Sequence, residues 1–119
     1  DEVEGVSVYP MGRGTIFQVR DFEAEVAPGA GNGKFVVVKH DKSRGDFVTG
    51  YSYYCHLSAH IFTAQQIGQP VDTGIIIGKS GTTGHSSGPH IHFAFCSEPS
   101  DYIPTLLEKC QNPLGVDWY

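Results

Sequence analysis

The sequence predicts a mostly β chain, folded as a single antiparallel sheet or sandwich domain with one short helix near its C-terminus. Three observations carry that reading. Gly and Pro punctuate the 119 residues at short intervals, and β-branched and aromatic residues fill the gaps between them. Apolar residues fall at helical spacing in one segment alone. Hydrophobic residues make up 39% and charged ones 18%, the balance of a chain with a core rather than of a disordered one.

Taken in order, the candidate strands are residues 6–10 (VSVYP), 15–21 (TIFQVRD), 34–40 (KFVVVKH), 47–57 (FVTGYSYYCHL), 74–80 (GIIIGKS) and 90–96 (HIHFAFC). Residues 27–34 (APGAGNGK) form a loop, and Asn32-Gly33 within it is a hairpin-turn signal. A second turn is read at residues 71–74 (VDTG). The helix is placed over residues 101–110, with Pro104 near its first turn and Leu106, Leu107 and Cys110 at helical spacing. No linker, repeat or low-complexity run divides the chain, so residues 1–119 read as one domain.

Composition also excludes several functions. A net charge of -5 disfavours nucleic acid, whose phosphates are bound by Lys and Arg. No apolar run approaches the ~20 residues of a membrane span. The first residues, DEVEGVSVYP, show neither the basic nor the apolar region of a signal peptide, as is also true of a mature secreted chain. Residues 74–81 (GIIIGKSG) hint at a phosphate loop. Thr73 stands where its first glycine is required, however, and GTTGHSSGP follows in place of a helix, so a strand and turn are expected. Three cysteines without a CxxC pair make neither a disulfide framework nor a thiolate zinc knuckle. Cys96 and Cys110 flank a short segment and suit a disulfide in an oxidising compartment; buried free thiols are the alternative.

The chemistry concentrates in His90-Ile91-His92. Alternate residues of a strand share a face, which sets two imidazoles about 7 Å apart on one side, with Ile91 and Phe93 on the other. That spacing serves one metal, as a ligand and its catalytic neighbour, but a polar strand face explains the pair equally simply. The second strand of interest, residues 51–58 (YSYYCHLS), alternates Ser52, Tyr54 and His56 against Tyr51, Tyr53 and Cys55. On strict alternation Cys96 shares the face of His90 and His92, so a cleft containing all three histidines puts Cys55 and Cys96 on opposite sides. His40, His60 and His85 read as solvent-facing residues.

Read together, VYP, GTI, VVVKH, YCHLS, IGQPVDTGIIIG and SGTTGHSSGPHIHF fill most of residues 5–95. This series resembles the lysostaphin-type zinc metalloendopeptidases, or LytM domains, which cut peptide bonds in bacterial peptidoglycan. The resemblance implies a lysostaphin-like, duplicated-hybrid-motif β fold and zinc (Zn2+) as cofactor. It makes His92 a metal ligand, and His56 and His90 the catalytic imidazoles that act on the water and the developing oxyanion. Its implied partner is the peptidoglycan peptide, met outside the cell or in the periplasm, by a secreted or phage-borne protein. A zinc-bound water with a pKa near 7 and flanking imidazoles fit that chemistry.

The family pattern also contains H-x-x-x-D, the source of two further ligands. Four residues after each histidine stand Arg44, His60, Ala64, Pro89, Ala94 and Cys96, so the motif is absent from residues 1–119. One protein ligand does not hold a catalytic zinc, which needs about three. Two expectations follow. Either this is an incomplete chain whose ligands lie in a missing N-terminal segment or a second chain, or it is a degenerate domain acting as a binding or regulatory module. The survival of Y-x-H-L and H-x-H favours the first, and residues 1–119 alone are then expected to be nearly inactive.

Overall fold

The computed structural model describes residues 5–25, 33–81, 92–97 and 110–111. Within these, β1 (Ser7–Val8), β2 (Gly14–Asp21), β3 (Lys34–His40), β4 (Gly50–His60), β5 (Pro70–Val71), β6 (Gly78–Ser80), β7 (His92–Cys96) and β8 (Cys110–Gln111) form one sheet. Every pairing is antiparallel. The order is β1-β6-β4-β3-β2-β5, with β7 also on β4 and β8 on β7. A four-residue helix, α1 (Phe22–Glu25), follows β2. The expected mostly β class holds. The helix expected over residues 101–110 lies outside the described residues except for Cys110, which is in a strand.

β3 forms because Phe35-Val36-Val37-Val38 is β-branched and aromatic, and all four side chains are fully buried. Alternation sends them to two cores. Val36 and Val38 join Val8, Ile16, Tyr54, Leu57, Phe62, Val71 and Ile77 on one face. Phe35 and Val37 join Tyr53, Cys55, Ala94 and Cys96 on the other. Burial of each such large side chain contributes about 1.5–3 kcal/mol. Gly33 has φ 63° at the head of β3, while Asn32, the other half of the turn signal, lies outside the described residues. The VDTG turn closes with Ile75 N–H donating to the Asp72 carbonyl at 3.0 Å.

β4 is the longest strand, at 11 residues, and it is not regular. Val36 opposes Tyr54, but Lys34 opposes Leu57, so β4 holds one residue more than β3 between these pairs. This is a β-bulge, and it breaks the alternation. Tyr54 and Leu57, three apart, therefore both enter the first core. The regular ladder of Tyr51 to Cys55 with β7 sets Cys55 and Cys96 in the second core together, correcting the expectation that they lie on opposite sides. Cys55 is a free thiol, whereas Cys96 is disulfide-bonded, and the ladder sets Cys110 directly across from Cys96.

A chain of buried polar groups crosses the first face. Met11 N–H donates to the Tyr54 hydroxyl at 2.8 Å, and that hydroxyl donates to Ser52 Oγ at 2.9 Å. His40 Nδ1 lies 2.7 Å from the Arg13 carbonyl, which only accepts, so Nδ1 carries the proton. Nε2 of the neutral ring then accepts from Ser52 Oγ at 2.8 Å. His40 is 1% exposed, not the surface residue expected from its place at a strand end. Its ring is packed against Phe47 and Phe95.

Burial, the largest influence, depresses the His40 pKa below 6.5, against opposing contributions from the Arg13 carbonyl and Asp46. His60 is depressed in the same direction, again chiefly by burial. The unfolded chain thus binds more protons than the folded one below pH 6.5, and stability is full above that value and falls as pH drops through it. Urea unfolding midpoints should decline with acidification across this range. His40→Gln should be less stable at neutral pH but show a shallower decline, leaving the part owed to His60.

Candidate active site

His56 stands where β4 changes neighbours. Residues Tyr51 to Cys55 pair with β7, and Leu57 to His60 pair with β6. The bulge falls between these two stretches, and His56 has φ 62°, the single positive value among the described non-glycine residues. A left-handed conformation costs a non-glycine residue about 1–3 kcal/mol and persists only where surrounding packing dictates it. Tyr54 and Leu57 supply that packing, because both are anchored on the first face. Cys55 and His56 are the two residues of β4 that stand against one residue of β3, Phe35, in the bulge. His56 is 1% exposed there.

β7 begins at His92, and its register with β4 sets His92 directly opposite Cys55. Directly opposed residues of antiparallel strands occupy one face, with strands about 4.8 Å apart. His56 therefore follows directly the residue that pairs with His92. Strict alternation would have put His56 with Tyr54, on the face away from His92. His90 and His85 lie outside the described residues.

The remaining histidines are placed away from this pair. His60 ends β4 half-buried, its Nε2 2.7 Å from the Arg20 carbonyl, and is not the exposed loop residue expected. Tyr54 faces the first core and does not shape the His56 side; burial, its largest influence, raises the phenol to about 12. The Cys55 thiol is also pushed upward by burial, which makes it an inert core group rather than a nucleophile. A groove of about 320 Å³ is lined by Arg13, Gly14, Thr15, Arg44, Asp46 and Pro70. It lies beside the start of β2, where Gly14 approaches His40. Its Arg13 already bonds Asp46 and the Arg44 carbonyl.

Imidazole nitrogens suit zinc, but among the described residues no three His, Cys, Asp or Glu stand together as a donor set. The described part of the site places the start of β7, at His92, across from Cys55, the residue before the buried His56. Sequence reasoning missed the bulge. The available signal was the odd spacing of two large core residues, Tyr54 and Leu57, around a histidine.

The chain is similar to known proteins in both sequence and fold. The family model described as Peptidase family M23 matches residues 2–103. The peptidoglycan DD-endopeptidase ShyA of Vibrio cholerae is 36% identical over 89 residues, covering 75% of this chain. The chain spans only 17% of that relative's length. Among solved structures, the catalytic domain of lysostaphin from Staphylococcus simulans superposes with a TM-score of 0.71 at 24% identity, over 95% of this chain and 71% of that one. A zinc-containing peptidase from Vibrio cholerae gives a TM-score of 0.60 at 26% identity, over 82% and 28%. With most of its length matched by the family model and its antiparallel sheet shared with lysostaphin, the chain belongs to peptidase family M23.

Proposed function

We propose that the chain is the core of a zinc-dependent endopeptidase that hydrolyses peptide bonds in bacterial peptidoglycan, outside the cell or in the periplasm. The register of β4 and β7 carries this reading, since it sets His92 across from the residue that precedes the buried, bulged His56. His92 is the metal ligand in this proposal, and His56 and His90 are the imidazoles that hold protons and stabilise negative charge. Zinc, when bound, supplies a water acidified to near neutrality. The peptidoglycan substrate is proposed from the endopeptidase ShyA, and zinc from the zinc-containing neighbour. Both accord with the H-x-H and Y-x-H-L residues of this sequence.

Residues 1–119 contain no H-x-x-x-D, so the other two ligands are proposed to come from outside them, from a further segment or a second chain. That same absence favours a second reading, in which the domain has lost the metal and acts as a binding or regulatory module.

Clearing of a bacterial cell-wall suspension in the presence of zinc separates the two. Residues 1–119 alone should clear it negligibly, and the same residues joined to their H-x-x-x-D should clear it readily. Clearing by neither, with cell-wall binding retained in sedimentation, would establish the module instead.

In the clearing-competent protein, His56→Ala and His92→Ala should each lower the rate by about a hundredfold or more. A chelator should abolish clearing and added zinc restore it. A wild-type rate in His56→Ala would remove that residue from the mechanism.

A further inference from the structure

We propose that the groove between Arg13 and Arg44 is a second binding site, which takes the free carboxylate of a peptide. That the peptide belongs to the cell wall rests on the reading above; the site itself does not. The groove encloses about 320 Å³, and its walls are Arg13, Gly14, Thr15, Arg44, Asp46 and Pro70. It stands apart from the proposed catalytic histidines. Thr15 opposes Lys39, and Lys39 opposes Tyr51, which precedes His56 on β4 by five residues. No residue of the groove takes part in the proposed hydrolysis.

Both guanidinium groups are fixed in advance. Arg13 Nε donates to Asp46 Oδ1 at 3.2 Å, and its Nη2 donates to the Arg44 carbonyl at 2.8 Å. Asp46 is itself held: its side chain is 5% exposed, and Oδ2 accepts from Asp41 N–H at 2.8 Å. Gly45, at φ 94°, closes the turn over Lys42–Arg44, and a Cβ there would press on Arg13 Nη2. Arg44 Nη2 reaches the Thr15 hydroxyl at 3.4 Å. A guanidinium has more N–H donors than these bonds use, so both keep some without an acceptor among the described residues. The Arg13 and Arg44 side chains are 58% and 48% exposed, which leaves those donors within reach of a ligand. Ordering them costs a ligand little, because the protein has already done it.

Charge decides the kind of ligand. Arg13, Lys39, Lys42 and Arg44 gather at this end of the sheet against Asp41 and Asp46, a local positive excess in a chain of net charge -5. Asp46 matches Arg13. Asp41 commits Oδ1 to the Ser43 N–H and hydroxyl, at 2.9 and 2.7 Å, and its Oδ2 stays 3.8 Å from Arg44 Nε. The Arg44 charge is therefore loosely matched, which suits a monoanion. A phosphate dianion would face the Asp46 carboxylate across the same space. The planar fork of arginine also fits the two oxygens of a carboxylate. Pro70, paired with Thr15, offers an apolar wall for the residues behind the carboxyl group.

Calorimetric titration of the protein with N-acetyl-dialanine, which ends in a free carboxylate, tests the site. The matching C-terminal amide should bind about tenfold more weakly, or not at all. Arg44→Gln keeps the backbone carbonyl that Arg13 uses and should weaken the acid by about tenfold. Lys42→Gln removes a charge at the same end but outside the groove, and should change affinity by less than about twofold. Sedimentation with purified cell walls tests the source of the carboxylate. Arg44→Gln should lower the bound fraction, and so should amidation of the wall carboxyl groups, which leaves wall phosphates intact.

The site is overturned if the wild type does not bind the acid, if acid and amide bind equally, or if folded Arg44→Gln keeps wild-type affinity. It is overturned equally if Lys42→Gln matches the loss in Arg44→Gln, since general charge attraction then explains the binding. Inorganic phosphate held more tightly than the acid would overturn the choice of carboxylate. Unchanged sedimentation with amidated walls would overturn the cell wall as its source. Should the protein clear no cell walls, the enzymatic reading fails, and the titration still decides the site.

Discussion

β4 carries β3 along one edge and two successive partners, β7 and then β6, along the other. Most of the sheet is organised by that arrangement. A strand that changes neighbours must satisfy two registers with one backbone, and a β-bulge, which bends the strand and raises its twist, helps it do so. The added residue here is His56, at φ 62°. A further shift against β6, between Leu57 and Ala59, completes the transfer. Gly81 makes the close approach possible beyond β6, since a Cβ there would collide with the Ser58 backbone nitrogen. The strain of the bulge is thus held between long, well-packed ladders rather than left in a loop.

How much of this was legible in the sequence depended on whether a feature is local. Residues 34–40 were bounded correctly because a fully buried β-branched run between a Gly turn and an Asp has one reading. β6 and β7 were located by their apolar content, although β6 is only three residues long and residues 74–77 before it are turn and coil. β5 and β8 were not anticipated. Each has two residues, and each exists because a neighbour offers an unpaired edge, which is a property of the assembled sheet.

The candidate site divides in the same way. The residue types and their motif spacing were readable, since Y-x-H-L and H-x-H lie within single short segments. The β-bulge at His56 was not, because strict alternation makes a shared cleft for His56 and His92 incompatible with a shared face for Cys55 and Cys96. The ladder sets Cys55 and Cys96 on one face, so the error fell on the cysteines. The burial of His40 was missed for a related reason. A histidine at a strand end reads as polar surface until the Arg13 carbonyl and Ser52 hydroxyl arrive from elsewhere in the chain.

The two faces of the sheet consequently hold imidazoles of opposite character. On the first face, His40 has each ring nitrogen committed to a fixed partner, and burial disfavours its charged form. Such a group specifies structure, because every proton in its chain has one place to be. On the second face, His56 occupies a strained backbone position that no regular strand would give it. Sequence spacing alone does not tell a histidine fixed in a polar chain from one held in a bulge. The distinction arises from which side of a bulge each residue falls on, and in this chain two large core residues at odd separation determine that side.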